Sequence, residues 1–360
     1  MKLGIIYSDR RGKFVAKGFE EYCDVVEIDL SDFEIHGWQR RISALVSFRP
    51  DKKLWKNDFY RNPVAVLFRK RWGEKQMKKV SEKVDAVLQF GLMNIYDYSL
   101  LGQPKVFYYV DGAYDPNNPY WYSPRFGKWF SGMQRMAYAD ARCIFTFSKW
   151  AQKQHVSQLG ISEAKVINVG WGPCLHVGKT RRKHQFNDPP HFLFIGRNSP
   201  TKGFDVLAAA FAKVHELYSD VILHCVGIGD GEYSDRATDG IDFHGYCTGK
   251  KLEKIIRESD VFILPSLYDR ASHSTVEAIC HGLVPIVTDT CGASEPVFSG
   301  QCGIVVQPGD PDSLADAMVS LVEDQTKLLE FSDKAFEEAQ RNWTWKVVCK
   351  RMIKHMELAL

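Results

Sequence analysis

Two short apolar runs, VFILPS ending at Ser266 and LVPIVT beginning at Leu283, flank a polar loop and a short helical pattern. Runs of this length predict buried strands, and the segment between them predicts a loop followed by a helix. Ser272 and Ser274 can cap that helix, and Gly282 can end it. The order of strand, loop, helix and strand is typical of α/β proteins, in which the loop carries the ligand-binding groups.

The start of this helix predicts an anion site. Its first turn carries Ser274 and Thr275, so backbone N–H groups and the positive end of the helix dipole are accessible to a phosphate. Asp269 lies in the preceding loop and Glu277 lies eight positions later in the helix, where a carboxylate can accept two hydrogen bonds from a ribose diol. We therefore expect a nucleotide-binding corner. A capped helix with a Glu also occurs as a structural unit in most α/β proteins, so the pattern alone leaves that alternative open.

The composition predicts a soluble globular protein. A chain of 360 residues with 45% apolar and 25% charged residues is long enough for two domains. No stretch approaches the roughly 18 apolar residues of a membrane span, and MKLGIIYS predicts a first strand rather than a secretory signal. Nine Cys without a C-x-x-C pair indicate a reducing compartment. We expect a cytoplasmic location.

Charge is distributed unevenly along the chain. Residues 1–180 hold 28 Lys and Arg against 18 Asp and Glu, whereas residues 181–360 hold 19 against 26, so the two halves carry +10 and −7. Residues 40–79, here called the basic block, hold 13 basic and 3 acidic residues with five aromatics between them: Trp55, Phe59, Tyr60, Phe68 and Trp72. Such a block suits an anionic membrane surface, with nucleic acid as the competing partner. A solvated face whose aromatics belong to the core is the alternative.

Charged residues also follow two other predicted strands. Asp111 comes directly after the strand KVFYYV, and ligands of open α/β sheets bind outside the carboxyl ends of strands. An Asp at this place can equally cap a helix. The strand FLFIG is followed by a loop with Arg197 and Lys202, two cations that can clamp a diphosphate, although most loop cations have no such role. Before this strand, PCLHVGKTRRKHQFNDPPH predicts a linker.

Asp310 and Asp312 have the spacing of a metal-binding D-x-D pair. They stand directly before a helical pattern, where Asp is the expected N-cap, so we predict a cap and no metal site.

Six pieces of the C-terminal half stand in an order that resembles one family. These are FIGRNSPTKGFDVLAAAF, VGIGDG, FHGY, SDVFILPS, DRASHSTVEAICHGLVPIV and CGIVVQPGDPDSLADAM, spread over about 150 residues. The family is that of the retaining glycosyltransferases of the E-x7-E type, glycosyltransferase family 4 or glycosyl transferases group 1. The resemblance implies the α/β fold called GT-B, with two Rossmann-like, doubly wound parallel-sheet domains facing each other across a cleft. Residues 1–176 would form the acceptor-side domain, with a helix at 343–360 packing back on it, and residues 177–342 would bind the donor.

The resemblance also implies roles for individual residues. Arg197 and Lys202 would hold the donor's phosphates and Glu277 the ribose hydroxyls. The segment from His244 through Gly245 to Tyr246 would face the base. The distal phosphate would lie on the backbone of the helix start, formed by Ser272, His273, Ser274 and Thr275.

Two departures from the family pattern concern the proposed catalytic residues Asp269 and Asp111. Asp269 stands where the family has a Glu that contacts the transferred sugar, and the three residues after it replace a Gly-aromatic-Gly run. Asp111 follows Val110 where the family often has His-Asp. These differences leave the donor sugar open.

The predicted reaction is transfer of a hexose-type sugar from a UDP- or GDP-sugar to a glycan or a lipid-linked acceptor, with retention of configuration. No cofactor or metal is expected, because Arg, Lys and a helix N-terminus can stabilise the leaving diphosphate. A sugar-nucleotide epimerase or a phosphorylase shares this architecture. A nucleic-acid-modifying glycosyltransferase and an inactive sugar-binding protein are further alternatives.

Overall fold

The structure is a computed structural model that describes residues 1–50, 55, 58–92, 94–114, 124–175, 186–197, 200–229, 239–290 and 292–359. The chain divides into two compact units. Unit 1 comprises Met1–Gly170 and Val348–Leu360, and unit 2 comprises Trp171–Val347. Most of the predicted linker, residues 176–185, lies outside the described residues.

Unit 1 is built on a six-stranded parallel sheet in the order β2-β1-β3-β4-β5-β6. Its strands are short and rich in Val, Ile, Phe and Tyr, as expected for a sheet covered on both faces. β3 and β5 are buried along their whole length. The strands are β1 (Lys2–Tyr7), β2 (Asp24–Asp29), β3 (Ala86–Phe90), β4 (Lys105–Val110), β5 (Cys143–Thr146) and β6 (Val166–Asn168).

The described residues of the first segment of unit 1 form five helices, and local sequence signals fix several of their ends. Asn62, for example, caps α3 by accepting hydrogen bonds from the N–H groups of Val64 and Ala65, both at 3.0 Å, and Pro63 takes the first helical position. The helices are α1 (Gly12–Phe19), α2 (Gly37–Ser47), α3 (Pro63–Met77), α4 (Pro124–Ala139) and α5 (Lys149–Leu159).

Unit 2 is built on a second six-stranded parallel sheet, in the order β12-β11-β10-β7-β8-β9. Its strands are β7 (Phe192–Ile195), β8 (Leu223–Val226), β9 (Ile241–Phe243), β10 (Val261–Leu264), β11 (Val284–Thr288) and β12 (Ile304–Val306). Its helices are α6 (Phe204–Leu217), α7 (Gly249–Glu258), α8 (His273–Cys280), α9 (Glu295–Gly300), α10 (Pro311–Glu323) and α11 (Gln325–Asn342). The last helix, α12 (Trp345–Ala359), begins in the unit 2 range and belongs to unit 1 from Val348 onwards.

In each sheet the strand order reverses at one point, called the topological switch point. In unit 2 the chain runs outward from β7 through β8 to β9, and returns to place β10 on the other side of β7. In unit 1 the same reversal separates β1 from β3. Ligands of doubly wound sheets bind outside the carboxyl ends of the strands at such a point. The β7/β10 reversal is where the predicted nucleotide-binding corner lies.

The helices of the described residues give no candidate for a membrane span, since none is long and apolar enough. The eight described cysteines are free thiols, six of them buried.

Candidate functional site

The loops that follow β7 and β10 are joined to each other. The carbonyl oxygen of Thr201 accepts hydrogen bonds from the N–H groups of Leu267, at 2.8 Å, and Tyr268, at 3.3 Å. Gly203 has φ +69, and a Cβ added there would lie 1.9 Å from the carbonyl oxygen of Pro265. Only glycine permits this approach, so the sequence choice at position 203 fixes how closely the two loops meet.

This contact brings together two predicted site residues that are 67 positions apart, Lys202 and Asp269. Lys202 Nζ donates to Asp269 Oδ2 at 2.6 Å, and the two side chains are 28% and 10% exposed. Arg197, in the same loop as Lys202, is exposed at the carboxyl end of β7. The cation of Lys202 and the carboxylate of Asp269 therefore lie at the chain reversal, and Arg197 supplies a second, exposed cation nearby.

The loop carrying Asp269 is also fixed from the β11 side. The hydroxyl groups of Thr288 and Thr290 both donate to the carbonyl oxygen of Ser266, at 2.5 and 3.0 Å. The N–H group of Gly292 donates to the carbonyl oxygen of Asp269 at 3.2 Å. Because the loop backbone is held at both ends, the Asp269 carboxylate has a defined direction before any ligand binds.

The N-terminus of α8 has the predicted cap. Ser272 Oγ accepts a hydrogen bond from the N–H group of Thr275 at 3.0 Å, and the Ser274 hydroxyl lies 3.0 Å from that of Ser272. The helix ends at Cys280, just before Gly282 with φ +78. First-turn N–H groups lack intrahelical acceptors, so this helix start is able to bind an anion.

Glu277, in the second turn of α8, is 7% exposed. Its Oε1 accepts a hydrogen bond from the N–H group of Cys174 at 2.9 Å. Burial raises the pKa of Glu277 to about 7, and the Cys174 hydrogen bond opposes that rise. At neutral pH the carboxyl group is therefore poised between its neutral and charged forms, and donors from a ligand would favour the charged form.

The segment Trp171–Cys174 supplies contacts to α8 that the sequence analysis missed. Trp171 Nε1 donates to the carbonyl oxygen of Ser272 at 3.1 Å. His273 Nδ1 lies 2.9 Å from the carbonyl oxygen of Gly172 and 3.3 Å from Cys174 Sγ. The sequence around Trp171 indicates a turn through its Gly and Pro residues, but nothing in it specifies a partner about a hundred positions away.

The segment predicted to face the base lies beside the loop after β8. Gly245, with φ +62, donates its N–H to the carbonyl oxygen of Ile228 at 3.1 Å and accepts from the N–H of Gly227 at 2.7 Å. The Tyr246 side chain is 79% exposed. An added Cβ on Gly227 would lie 2.4 Å from the carbonyl oxygen of Gly196, so the loops after β7 and β8 also touch. This segment and Arg197 therefore share one edge of the sheet.

Asp111 belongs to unit 1 and lies directly after β4, as predicted. It is partly buried. At the β1/β3 reversal of the same sheet there is a small depression lined by Tyr7, Gln89, Phe90 and Asn94, among others. Unit 1 thus presents polar groups at the carboxyl edge of its own sheet.

Asp310 is the N-cap of α10, which confirms the predicted cap. Asp310 Oδ1 accepts hydrogen bonds from the N–H groups of Asp312, at 3.0 Å, and Ser313, at 3.1 Å. The Asp312 carboxylate forms an ion pair with Lys213.

The aromatics of the basic block face mostly inward. Phe68 is 7% exposed, Trp72 packs against Phe33 with ring centroids 5.6 Å apart, and Tyr60 alone among the five predicted anchors is exposed. The expectation of a surface anchor is therefore wrong for Phe68, which α3 buries inside unit 1, while Trp55, Phe59 and Trp72 are partly buried.

A different apolar surface lies on α2. The buried residues of this helix are Ser43 and Ser47, and Ser43 accepts a hydrogen bond from Asn62 Nδ2 at 2.8 Å. Because the small hydroxyl side chains pack inward, the larger side chains face solvent. We call Trp38, Ile42 and Leu45 of the helix, together with Phe48 directly after its end, the α2 apolar face; they are 63%, 39%, 78% and 63% exposed.

Residues 189–324 match the family model described as glycosyl transferases group 1. This range contains every predicted site residue of unit 2, and it confirms the family resemblance for that segment. The retaining outcome and the E-x7-E assignment stay predictions.

Relatives of known name support the same assignment over part of the chain. A segment of 171 residues is 32% identical to a phosphatidyl-myo-inositol mannosyltransferase of Mycobacterium leprae and covers 46% of each chain. A segment of 250 residues is 25% identical to an uncharacterized glycosyltransferase of Methanocaldococcus jannaschii and covers 63% of each chain. The chain thus spans about half to two thirds of these curated relatives.

Solved structures match almost the whole chain at low identity. HepE of Anabaena, solved in complex with UDP, aligns with a TM-score of 0.70 over 99% of this chain and 100% of its own at 14% identity. The sucrose-phosphate synthase of Thermosynechococcus elongatus aligns with a TM-score of 0.68 over 99% of this chain and 98% of its own at 15% identity. At such identities the likeness establishes the fold alone. It confirms two Rossmann-like parallel-sheet domains of the GT-B type.

Proposed function

We propose that this protein is a retaining glycosyltransferase that moves a hexose-type sugar from a UDP- or GDP-sugar to a glycan or lipid-linked acceptor. The observation that carries the proposal is the corner at the β7/β10 reversal, where Lys202, Asp269 and the buried Glu277 surround the start of α8. The corner lies inside the segment that matches the glycosyl transferases group 1 model.

Each part of the corner suits one part of a nucleotide-sugar. Arg197 and Lys202 supply positive charge for the diphosphate, and the capped start of α8 supplies N–H groups for its distal oxygens. Glu277 accepts hydrogen bonds from the ribose hydroxyls. Hydrogen bonds from the ribose hydroxyls stabilise the charged form of Glu277. Binding of the nucleotide-sugar therefore lowers the raised pKa of Glu277. The backbone around Gly245, with Tyr246 beside it, receives the base.

The reaction breaks the bond between the anomeric carbon and the diphosphate oxygen and forms one to an acceptor oxygen. Negative charge builds up on the leaving diphosphate, where Lys202, Arg197 and the α8 dipole stabilise it. The acceptor hydroxyl loses its proton to the departing phosphate or to a carboxylate. Asp269 and Asp111 are the two carboxylates we assign to the reacting sugar and acceptor. No cofactor and no divalent metal take part in this scheme.

The test is a screen of UDP-, GDP-, ADP- and TDP-sugars, scored by released nucleotide and run with EDTA, with added Mg²⁺ and with added Mn²⁺. We expect release from UDP- or GDP-hexoses at equal rates in all three conditions. Release that appears only with Mg²⁺ or Mn²⁺ contradicts the metal-free scheme.

The same screen separates the alternative functions. Isomerised sugar nucleotide from donor alone would identify an epimerase, and a sugar phosphate formed with free phosphate would identify a phosphorylase. Nucleotide binding without turnover of any donor would identify an inactive sugar-binding protein. Each of these outcomes overturns the proposal.

We also propose that the acceptor is presented at a membrane surface, where unit 1 binds peripherally. The α2 apolar face is amphipathic in the manner of interfacial helices, since exposed Arg40 and Arg41 lie beside Ile42 and Leu45. The basic block adds a net +10 within residues 40–79. The Mycobacterium leprae relative, whose name specifies phosphatidyl-myo-inositol mannosyltransferase, supports a lipid acceptor.

We expect co-sedimentation with anionic vesicles but not with neutral ones, weakening as salt rises. Each cation near an anionic surface contributes about 1 kcal/mol. Arg40→Ala/Arg41→Ala should therefore weaken binding at least about tenfold, and Leu45→Ser should weaken it further. Leu217→Ser changes a leucine of unit 2 that is 68% exposed; it is the control and should bind as wild type.

Two results would contradict the proposed binding of unit 1 to an anionic membrane. Equal binding of the wild type and the α2 variants would exclude α2 as the contact. A DNA mobility shift at equal salt, without vesicle binding, would favour nucleic acid as the anionic partner.

A further inference from the structure

Three potential metal ligands of unit 2 share one face of the sheet, outside the corner described above. His224 on β8 and Asp242 on β9 are paired residues of adjacent strands. His244 follows Asp242 by two positions, and side chains two apart point to the same side of a strand. The parallel register of β8 and β9 therefore brings two imidazoles and a carboxylate together at the sheet's edge strand.

The distances within this group suit a small cation. His244 Nε2 lies 3.2 Å from His224 Nδ1, which lies 3.5 Å from Asp242 Oδ2. All three candidate ligand atoms lie within 4.8 Å of one another. A tetrahedral Zn²⁺ with bonds of about 2.0–2.1 Å holds neighbouring ligand atoms about 3.4 Å apart. The two shorter distances match that spacing without any movement of the backbone.

The three residues differ in how far they are buried. His224 is 8% exposed, His244 is partly buried, and the Asp242 side chain is 59% exposed. His224 Nε2 is buried and has no hydrogen-bond partner among the described residues. The His191 ring packs on the His224 ring with centroids 5.5 Å apart, which fixes its orientation. The group is thus held from inside and open to solvent at Asp242.

We propose that His224, Asp242 and His244 bind a Zn²⁺ ion, with water completing the coordination. Two imidazoles and one carboxylate are a donor set that zinc favours. A cation here neutralises Asp242 and replaces the hydrogen bond between His244 Nε2 and His224 Nδ1 with two metal bonds, which joins the three-residue edge strand β9 to β8. His244 directly precedes Gly245 and Tyr246, which the proposed function assigns to the base of the donor. The test below measures Zn²⁺ binding rather than transfer, so its outcome is distinct from that of the transferase proposal.

The test uses the purified full chain, stripped of metal by chelation and then dialysed. Zn²⁺ is titrated against a chromophoric chelator, and Co²⁺ is added separately to look for the visible absorption of a tetrahedral site. We expect one saturable Zn²⁺ per chain and a rise in melting temperature on loading. His244→Gln and Asp242→Asn, which change the more accessible ligands, should each weaken Zn²⁺ binding at least about tenfold, in line with the loss of a metal ligand.

Matched controls change the same residue types elsewhere. Asp220→Asn and His36→Gln, both at exposed positions, should bind Zn²⁺ as wild type. If His224→Gln fails to fold, His244→Gln and Asp242→Asn still test whether this site binds Zn²⁺. Absence of saturable binding overturns the proposal, as does wild-type affinity in both His244→Gln and Asp242→Asn.

Discussion

At pH 8 the Glu277→Gln variant is expected to unfold at a higher urea concentration than the wild type, while its transfer rate falls at least about tenfold. The carboxyl group is 7% exposed, and its pKa is raised from 4.5 to about 7 by burial. A rise of this size corresponds to about 3 kcal/mol of penalty on the charged form. The glutamine side chain keeps an oxygen for the Cys174 N–H but cannot become charged.

The pH dependence of this gain has a definite sign. Because the folded pKa of Glu277 lies above its unfolded value of 4.5, its stabilising contribution is complete below about pH 4.5 and is lost as the pH rises through 7. The glutamine of the variant does not titrate. The stability difference should therefore be near its minimum at pH 5 and approach an upper limit of about 3 kcal/mol at pH 8.

On the proposed function, the transfer rate of Glu277→Gln should fall while its stability rises. We assign the Glu277 carboxylate to both ribose hydroxyls, and a neutral amide accepts weaker hydrogen bonds than a carboxylate does. A lost charge-assisted hydrogen bond is worth about 1.5–3 kcal/mol. The measurement is urea unfolding at pH 5 and pH 8, with kcat/KM on the donor identified by the screen. Glu337→Gln, at an exposed position on α11, is the control and should change neither quantity. A Glu277→Gln stability difference that is equal at both pH values would refute the burial argument, and unchanged kcat/KM would mean that Glu277 is only structural.

The second large effect concerns the ion pair at the chain reversal. Lys202→Met leaves the Asp269 carboxylate, 10% exposed, without its cation. Removing one partner of such a pair costs about 3 kcal/mol, because a charge remains in a poorly solvated place. We expect the double variant Lys202→Met/Asp269→Asn to recover more than half of that loss. Transfer should stay at least about tenfold below wild type in both, since neither restores a cation for the diphosphate.

An exposed ion pair in the same unit provides the comparison. Lys213 and Asp312 are 49% and 75% exposed, so Lys213→Met should cost much less stability than Lys202→Met. Chemical denaturation of the wild type, the two single variants and the double variant gives the coupling energy between Lys202 and Asp269 directly. If Lys202→Met is as mild as Lys213→Met, the 2.6 Å contact does not contribute to stability as we argue.

Local patterns were sufficient to predict the elements of unit 2. The short apolar runs form β7, β10 and β11. Ser272 caps α8 and Asp310 caps α10, as predicted. These features depend on residues within a few positions of one another, so strand length and cap chemistry determine them. The position of Asp111 after β4 follows in the same way.

Contacts between distant segments were not predictable in this way. The partner of Glu277 is a backbone N–H about a hundred positions earlier, at Cys174, and Lys202 meets Asp269 only because Gly203 lets two loops approach. The sequence also suggested the wrong aromatics for a surface. Because α2 packs through Ser43 and Ser47, its apolar residues face outward, and a rule that places apolar side chains in the core misassigns them.

The reversal between β7 and β10 has a consequence for the order of folding. β7 has two neighbours, and the one that completes the corner is synthesised only after β8, β9 and α7. Bringing β10 next to β7 closes a long loop, and this closure costs entropy before the contacts between the strands form. We therefore expect β10 to join the sheet late. Lys202 cannot meet Asp269 until it does. A nascent or truncated chain that ends before β10 therefore lacks the corner. On the proposed function, such a chain should not bind a nucleotide-sugar, and donor binding would report the completed assembly of unit 2.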